Sequence, residues 1–410
     1  MTVFEVYREH TNQNQFLMNI LNQDLILEFF RSNYEVFLGC LFLGTFVVTF
    51  YLIPKVLWVS KEKNLTAAVV GRSSHTVETP SFGGVAFFIT LILVLSLIQS
   101  MRLSYVGNHL IAAITILFMV GLKDDLVVST ARVKLFGQIT ATCFIIFSPE
   151  LHLASLEGFW GIYDIPEAVG LLLKAVLVIA LINAYNLIDG IDGLASMVGI
   201  VISACFALVF YSTNQPFYAL VSISLTGILS AFLRFNFSRG DRKIFMGDSG
   251  SLVIGLVLAF LGIRILVMEP FLPLMREGHE PANRLLFLAC VLFIPIFDTL
   301  RVIVIRKLNG NSPFSPDRNH CHHVLLDLGY SHKKASFFLA TLNFLIIVTY
   351  LYFSTALSNL WLSLFVVVIY AGVFFLFFEL KKKSSKVAKP THAGFSIQSS
   401  NATAFKDHSN

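Results

Sequence analysis

Residues 252–267 read LVIGLVLAFLGIRILV, sixteen positions in which Arg264 is the one charged side chain. Directly before them stands Phe245-Met246-Gly247-Asp248-Ser249-Gly250-Ser251, polar and carrying a carboxylate. Such an apolar run belongs in lipid: with its flanks it approaches the ~20 residues that cross a hydrocarbon core of about 30 Å. Similar runs recur at 36–57, 83–98, 109–122, 135–147, 168–182, 194–211, 218–235, 285–305, 335–354 and 357–378, each bounded by polar sequence. Composition agrees, with 56% hydrophobic and 13% charged residues in a chain of 410, against about 25% charged in soluble domains. The expected fold is all-α, a polytopic transmembrane bundle of about eleven helices (ten or eleven) over 36–378. A polar outward segment, 1–35, precedes it, and a disordered basic tail, 379–410, follows.

Orientation follows from Lys and Arg. With the N-terminus outside, the inward stretches 58–82, 123–134, 183–193, 234–250, 306–334 and the tail carry 21 basic residues, against five outward. That bias places the tail in the cytoplasm. The first 35 residues lack the basic n-region and small-residue cleavage site of a signal peptide. Cys40, Cys143, Cys205 and Cys290 lie in apolar runs and Cys321 in an inward loop, so no disulfide framework is expected. The net charge of +5 is explained by the lysine-rich tail meeting anionic lipid, and no nucleic-acid partner is expected.

Of twelve aspartates only Asp24 and Asp164 fall outward. Carboxylates kept at a membrane pair, bind ions or mark a substrate path, and their gathering beside basic groups suggests a metal-dependent site for a polyanion. Asp124 and Asp125 end the third run; adjacent helical side chains diverge by about 100°, so one can meet substrate while a cation holds the other. In Asn183-Ala184-Tyr185-Asn186-Leu187-Ile188-Asp189-Gly190-Ile191-Asp192-Gly193, the pairs Asn183/Asn186 and Asp189/Asp192 are three apart and share a helical face. Capping would need one such group, and four are supplied. Asp248 stands where the N–H groups of the eighth helix begin, a natural place for phosphate and a hard cation, or for an ordinary N-cap. Asp298 lies in the ninth run. Downstream, Arg318, His320, His322 and His323 surround Cys321 in a proline-stiffened loop. Too few spaced ligands accompany these histidines to close a zinc site, so they suit phosphate oxygens better.

Taken in order, His75-Thr76 to Pro80 with Gly83-Gly84, Asp124-Asp125, Asn183 to Asp192, Phe245 to Ser251 and Asp298 to His323 resemble the polyprenyl-phosphate N-acetylhexosamine-1-phosphate transferase family, over roughly residues 70–330. The resemblance implies a cytoplasmic site in a bacterial inner membrane, with Mg2+ (or Mn2+) as cofactor. Its expected partners are a UDP-N-acetylhexosamine, undecaprenyl phosphate, the surrounding lipid and a second copy in a homodimer. It implies metal ligation by Asp248 and Asn186, catalytic work at Asp124, Asp125, Lys134, Asp189 and Asp192, and substrate binding by Asn183, Arg318, His320, His322 and His323. The His-Cys-His-His element looks more like the GlcNAc-type enzymes than like the phospho-MurNAc-pentapeptide translocase with its unbroken histidine triplet, which stays as the alternative. Ser81-Phe82 departs from relatives that carry a basic residue before Gly83-Gly84. The implied reaction is attack by a lipid phosphate on the β-phosphorus of a UDP-sugar, releasing UMP and starting a cell-envelope glycan of O-antigen, capsule or teichoic-acid type.

A transporter is the competing class. It would put its polar groups near mid-membrane, whereas here Asp298, Lys174, Arg264 and Arg301 are the charged residues deeper inside runs, and Lys55 and Arg234 stand within two residues of a run's end.

Overall fold

The computed structural model of the chain describes residues 32–65, 79–268, 281–312 and 318–387, with Glu28 and Phe30. His75, Thr76, the prolines and Asp317 of 313–317, most of 1–35 and the tail beyond 387 lie outside the described residues. The helices are α1 (Tyr34–Glu62), α2 (Gly83–Ser100), α3 (Val106–Leu126), α4 (Ala131–Ile146), α5 (Glu167–Ile188), α6 (Leu194–Ser212) and α7 (Pro216–Asn236). They continue with α8 (Gly247–Val267), α9 (Arg284–Val291), α10 (Phe293–Leu308), α11 (Cys321–Asp327), α12 (His332–Phe353) and α13 (Asn359–Val387). A two-stranded antiparallel hairpin, β1 (Ser155–Phe159) and β2 (Ile162–Asp164), joins α4 to α5.

Among the described residues nine helices are long and apolar enough to cross a membrane. The chain is a multi-pass membrane protein. Two of the eleven expected runs depart from a simple span. The fourth is the 16-residue α4, shorter than the nine helices long enough to cross alone, though Glu150 just beyond it bonds Tyr105 N and Val106 N at the far end of α3. The ninth, expected as one span, is α9 and α10 meeting at a bend of 82°. Pro295 explains the bend. Lacking an N–H, it cannot donate to the carbonyl of Val291 four residues back, as a continuous helix requires. Asn343 of α12 repairs the break: its Nδ2 donates to Val291 O at 3.1 Å and its Oδ1 accepts from Ile294 N at 3.0 Å. In lipid no water can do this, so a buried carboxamide must.

Residues 252–267 form the centre of the bundle, within α8. The apolar window of α8 is 89% buried, against 22% for α1 and α13 at the periphery, and α2, α3 and α5 pack around it. Close approach is set by Gly121: a Cβ there would come within 2.5 Å of Ser249 Cα. This contact seats the end of α3 on the start of α8. The charged groups within runs are tied to local partners. Lys174 donates to Ile146 O and Leu151 O, Arg264 to Gln215 Oε1 and Glu150 O, Arg301 to Asn319 O. These bonds brace the bundle.

Candidate active site

The α3–α4, α5–α6 and α7–α8 connections and the start of α12 meet at one end of the bundle. Asp124 and Asp125 are the last acidic groups of α3, and the 100° offset between them separates their tasks. Asp124 turns to the following loop, accepting from Ser129 N at 2.7 Å and pairing with Lys134 of α4 at 2.8 Å. Asp125 turns inward: Oδ1 accepts from Asp248 N at 2.8 Å, and Oδ2 from Ser249 N at 3.0 Å and Ser249 Oγ at 2.5 Å. A carboxylate from another span thus caps α8, satisfying first-turn amides that have no intrahelical acceptor. The sequence suggested those amides as a phosphate seat, or Asp248 as the cap; Asp125 occupies them instead, and Asp248 stands inside the first turn.

Asp248 is thereby aimed at Lys134 and Asn186. Lys134 bridges its Oδ2 and Asp124, while Asn186 Nδ2 donates to Asp248 Oδ1 at 3.0 Å and Ser251 Oγ at 2.7 Å. Backbone pairing fixes the approach: Phe245 N bonds Pro80 O, and Gly83 N and Gly84 N bond Phe245 O and Met246 O. Asn236 ties two loops together, accepting from Gly193 N and donating to Ile244 O.

Beyond α5, Asp189 and Asp192 are differently held. Burial in the cleft, then the negative charges of Asp248, Asp125 and Asp192, push the Asp189 carboxyl well above the usual carboxylate range. Burial acts in the same direction on Asp192, yet His332 at 3.2 Å and Lys243 at 2.8 Å hold it below that range. Asp192 Oδ1 is buried with no partner among the described residues.

The histidine block is anchored from α10. Asp298 accepts from Cys321 N at 2.6 Å and holds His320 Nδ1 at 2.7 Å, fixing the start of α11. His322 then lies over Gly190, where a Cβ would come within 2.5 Å of Nε2. Burial pushes His322 down to about 3, so it is neutral near pH 7. Burial, then Arg318, also lowers His323.

A cleft of about 360 Å3 results, lined by Asp125, Asn186, Asp189, Asp192, Phe245 and Asp248 among others. Asp124 and Lys134 adjoin it through Asp248. Asn183 is not in its lining: its carboxamide is paired reciprocally with Gln138, at 2.8 and 3.2 Å, and joins α5 to α4. Arg318 is exposed, 3.5 Å from Asp327, and His320 is spent on Asp298. Sequence reasoning missed Lys243, His332 and Asn236 as supports of the cleft. Lys243, two residues before Phe245, offered a signal; His332 and Asn236 offered none.

Similarity to known proteins covers the same elements. The model for glycosyl transferase family 4 matches residues 108–266. The decaprenyl-phosphate N-acetylglucosaminephosphotransferase of Mycolicibacterium smegmatis is 32% identical over 64% of this chain and 69% of its own. The protein of that name from Mycobacterium tuberculosis is 29% identical over 70% and 75%. The undecaprenyl-phosphate alpha-N-acetylglucosaminyl 1-phosphate transferase of Yersinia pestis is 29% identical over 66% and 72%. With motif order, fold and relatives in agreement, the chain belongs to glycosyl transferase family 4, the polyprenyl-phosphate N-acetylhexosamine-1-phosphate transferases.

Proposed function

We propose that this cleft transfers GlcNAc 1-phosphate from UDP-GlcNAc to a polyprenyl phosphate, undecaprenyl phosphate being the acceptor, and so starts a lipid-linked cell-envelope glycan. Transfer of GlcNAc 1-phosphate onto a polyprenyl phosphate is the activity named for the relatives. The observation that carries the reading is the cleft itself: Asp125, Asp189, Asp192 and Asp248 line one polar pocket beside Lys134, at the end of a lipid-facing bundle. A lipid phosphate oxygen attacks the β-phosphorus. The new P–O bond makes the pyrophosphate, the bond to the bridging oxygen breaks, and UMP leaves with that oxygen.

A divalent cation fits these residues. Carboxylates outnumber cations in the cleft; after burial, their charge adds to holding Asp189 above its ordinary range, and the donors are hard oxygens of the kind Mg2+ prefers. Among the described residues no three acidic or histidine groups stand ready-made around one point. Asp248 and Asn186, flanked by Asp189, would hold the ion, with Lys134 leaving Asp248 for substrate. Bound Mg2+ would supply charge neutralisation between two anionic reactants. Lys134 then meets the transferred phosphoryl group or the lipid phosphate. The lipid phosphate has a second pKa near 6 and is mostly dianionic at pH 7; Asp125 and Asp124 therefore position and need not deprotonate. Arg318 and His323 are assigned to the donor pyrophosphate.

The test is purified chain with labelled UDP-GlcNAc, its GalNAc epimer or UDP-MurNAc-pentapeptide, plus undecaprenyl phosphate. Labelled lipid and equimolar UMP from UDP-GlcNAc alone are expected; product only from the pentapeptide donor overturns the reading. We place the cleft on the cytoplasmic face of the inner membrane, a sidedness supported by the basic residues of the inward segments. Trp160→Cys should react with an impermeant thiol reagent from outside and Ser312→Cys should not. The reverse pattern overturns the sidedness.

A further inference from the structure

A second cavity, about 620 Å3, lies between α6 and α12. Its walls include Met197, Phe337, Leu342 and Leu345, and its mouth carries Lys333 and Lys334. From Lys333 to Leu345 the helix runs about 18 Å, comparable with the roughly 15 Å of hydrocarbon in one leaflet. The first turn of α12 holds His332, Lys333 and Lys334 and no acidic residue. Among the described residues neither lysine forms an ion pair with a carboxylate. Lys333 instead lies 5.2 Å over the Phe237 ring.

Phe237 packs against Gly193 on its other side, standing between this groove and the 189–193 loop. A phosphate held at the two lysines is therefore outside the catalytic cleft. Yet α12 touches both: His332 Nδ1 lies 3.2 Å from Asp192 Oδ2, and Ser336 Oγ donates to Asp192 O at 2.7 Å.

We propose that an anionic bilayer phospholipid occupies this groove, its phosphate between Lys333 and Lys334 and an acyl chain along Phe337 to Leu345, and that its presence steadies α12 against the Asp192 loop. Charge complementarity selects the headgroup, since two ammonium groups without acidic partners among the described residues face an interface where basic residues attract anionic lipid. Zwitterionic lipid offers the same chain without net charge. Only the effect on turnover rests on the catalytic reading; binding stands apart from it.

The experiment uses full-length chain purified in phosphatidylcholine nanodiscs. Phosphatidylglycerol is titrated in, with native mass spectrometry and thermal midpoint as readouts. One phosphatidylglycerol per chain should be retained and should raise the midpoint. The pair Lys333→Gln and Lys334→Gln should weaken retention roughly ten- to a hundredfold, and Leu342→Trp should weaken it by filling the groove. Lys382→Gln with Lys383→Gln should leave it unchanged. Equal retention in wild type and the Lys333/Lys334 variant, or one-for-one displacement by undecaprenyl phosphate, overturns the site. In turnover assays at fixed acceptor, phosphatidylglycerol should stimulate wild type and not the double variant. Retention with no stimulation overturns the coupling to Asp192.

Discussion

Asp125 holds the backbone amide of Asp248 at 2.8 Å, so the residue assigned to metal is positioned by a neighbouring span. Capping from outside the helix frees the Asp248 side chain, which a self-capping aspartate would have spent on its own first turn. The geometry depends on Gly121 allowing α3 to meet α8 at Ser249.

Asp125→Ala leaves two amides without acceptors and should cost about 0.5–2 kcal/mol, the scale of a lost cap, read as a lower thermal midpoint. Turnover should fall too, because Asp248 loses its fixed bearing. Asp125→Asn, which keeps one acceptor oxygen, should recover part of the midpoint. Equal midpoints for wild type and the alanine variant would remove the capping role.

Asp248→Asn keeps the size and removes the charged hard ligand. Labelled lipid product should disappear while membrane insertion persists. Near-normal turnover at saturating Mg2+ would take the metal assignment away from this residue.

Lys134→Ala and Arg318→Ala should separate the two substrates. Losing a charge-assisted contact costs about 1.5–3 kcal/mol, roughly ten- to a hundredfold. For Arg318→Ala the loss should appear in UDP-sugar use, and for Lys134→Ala in lipid phosphate use or in kcat. An Arg318→Ala defect confined to the lipid would refute the division.

His322 gives a pH prediction. In the unfolded chain it takes a proton near pH 6.5; in the folded chain burial keeps it neutral down to about 3. The folded state binds fewer protons in this window, so the group's stabilising contribution is complete above pH 6.5 and is lost as pH falls from there towards 3. His322→Gln should make the midpoint less sensitive to acid between pH 6.5 and 5. A slope equal to wild type would show that His322 titrates as an exposed imidazole does.

The spans and the acidic inward end were readable because burial in lipid and the divergence of adjacent side chains are local rules. Asp124 and Asp125 illustrate this: one holds a lysine and the other faces the cleft. Asn183 misled for a related reason. It shares a helical face with Asn186, but three residues displace it by about 4.5 Å along the axis, far enough to meet Gln138 of α4 and not the cleft. Long-range partners left no local trace. In sequence Lys243 is one more inward basic residue and His332 a lone histidine, and their convergence on Asp192 needs the α5–α6 and α7–α8 connections and the start of α12 to meet.

The crease at Pro295 bears on how the protein is made. Asn343 is synthesised 52 residues after Val291, whose carbonyl it satisfies. Until α12 enters the bilayer, that carbonyl and the Ile294 amide face lipid with no partner, a state that costs several kcal/mol per group. The bend in the ninth span is therefore expected to reach its native form only once the tenth crossing, which carries Asn343, has arrived. Chains ending between 308 and 343 should be inserted yet recognised as unfinished by membrane proteases, and Asn343→Leu in the full chain should share that fate.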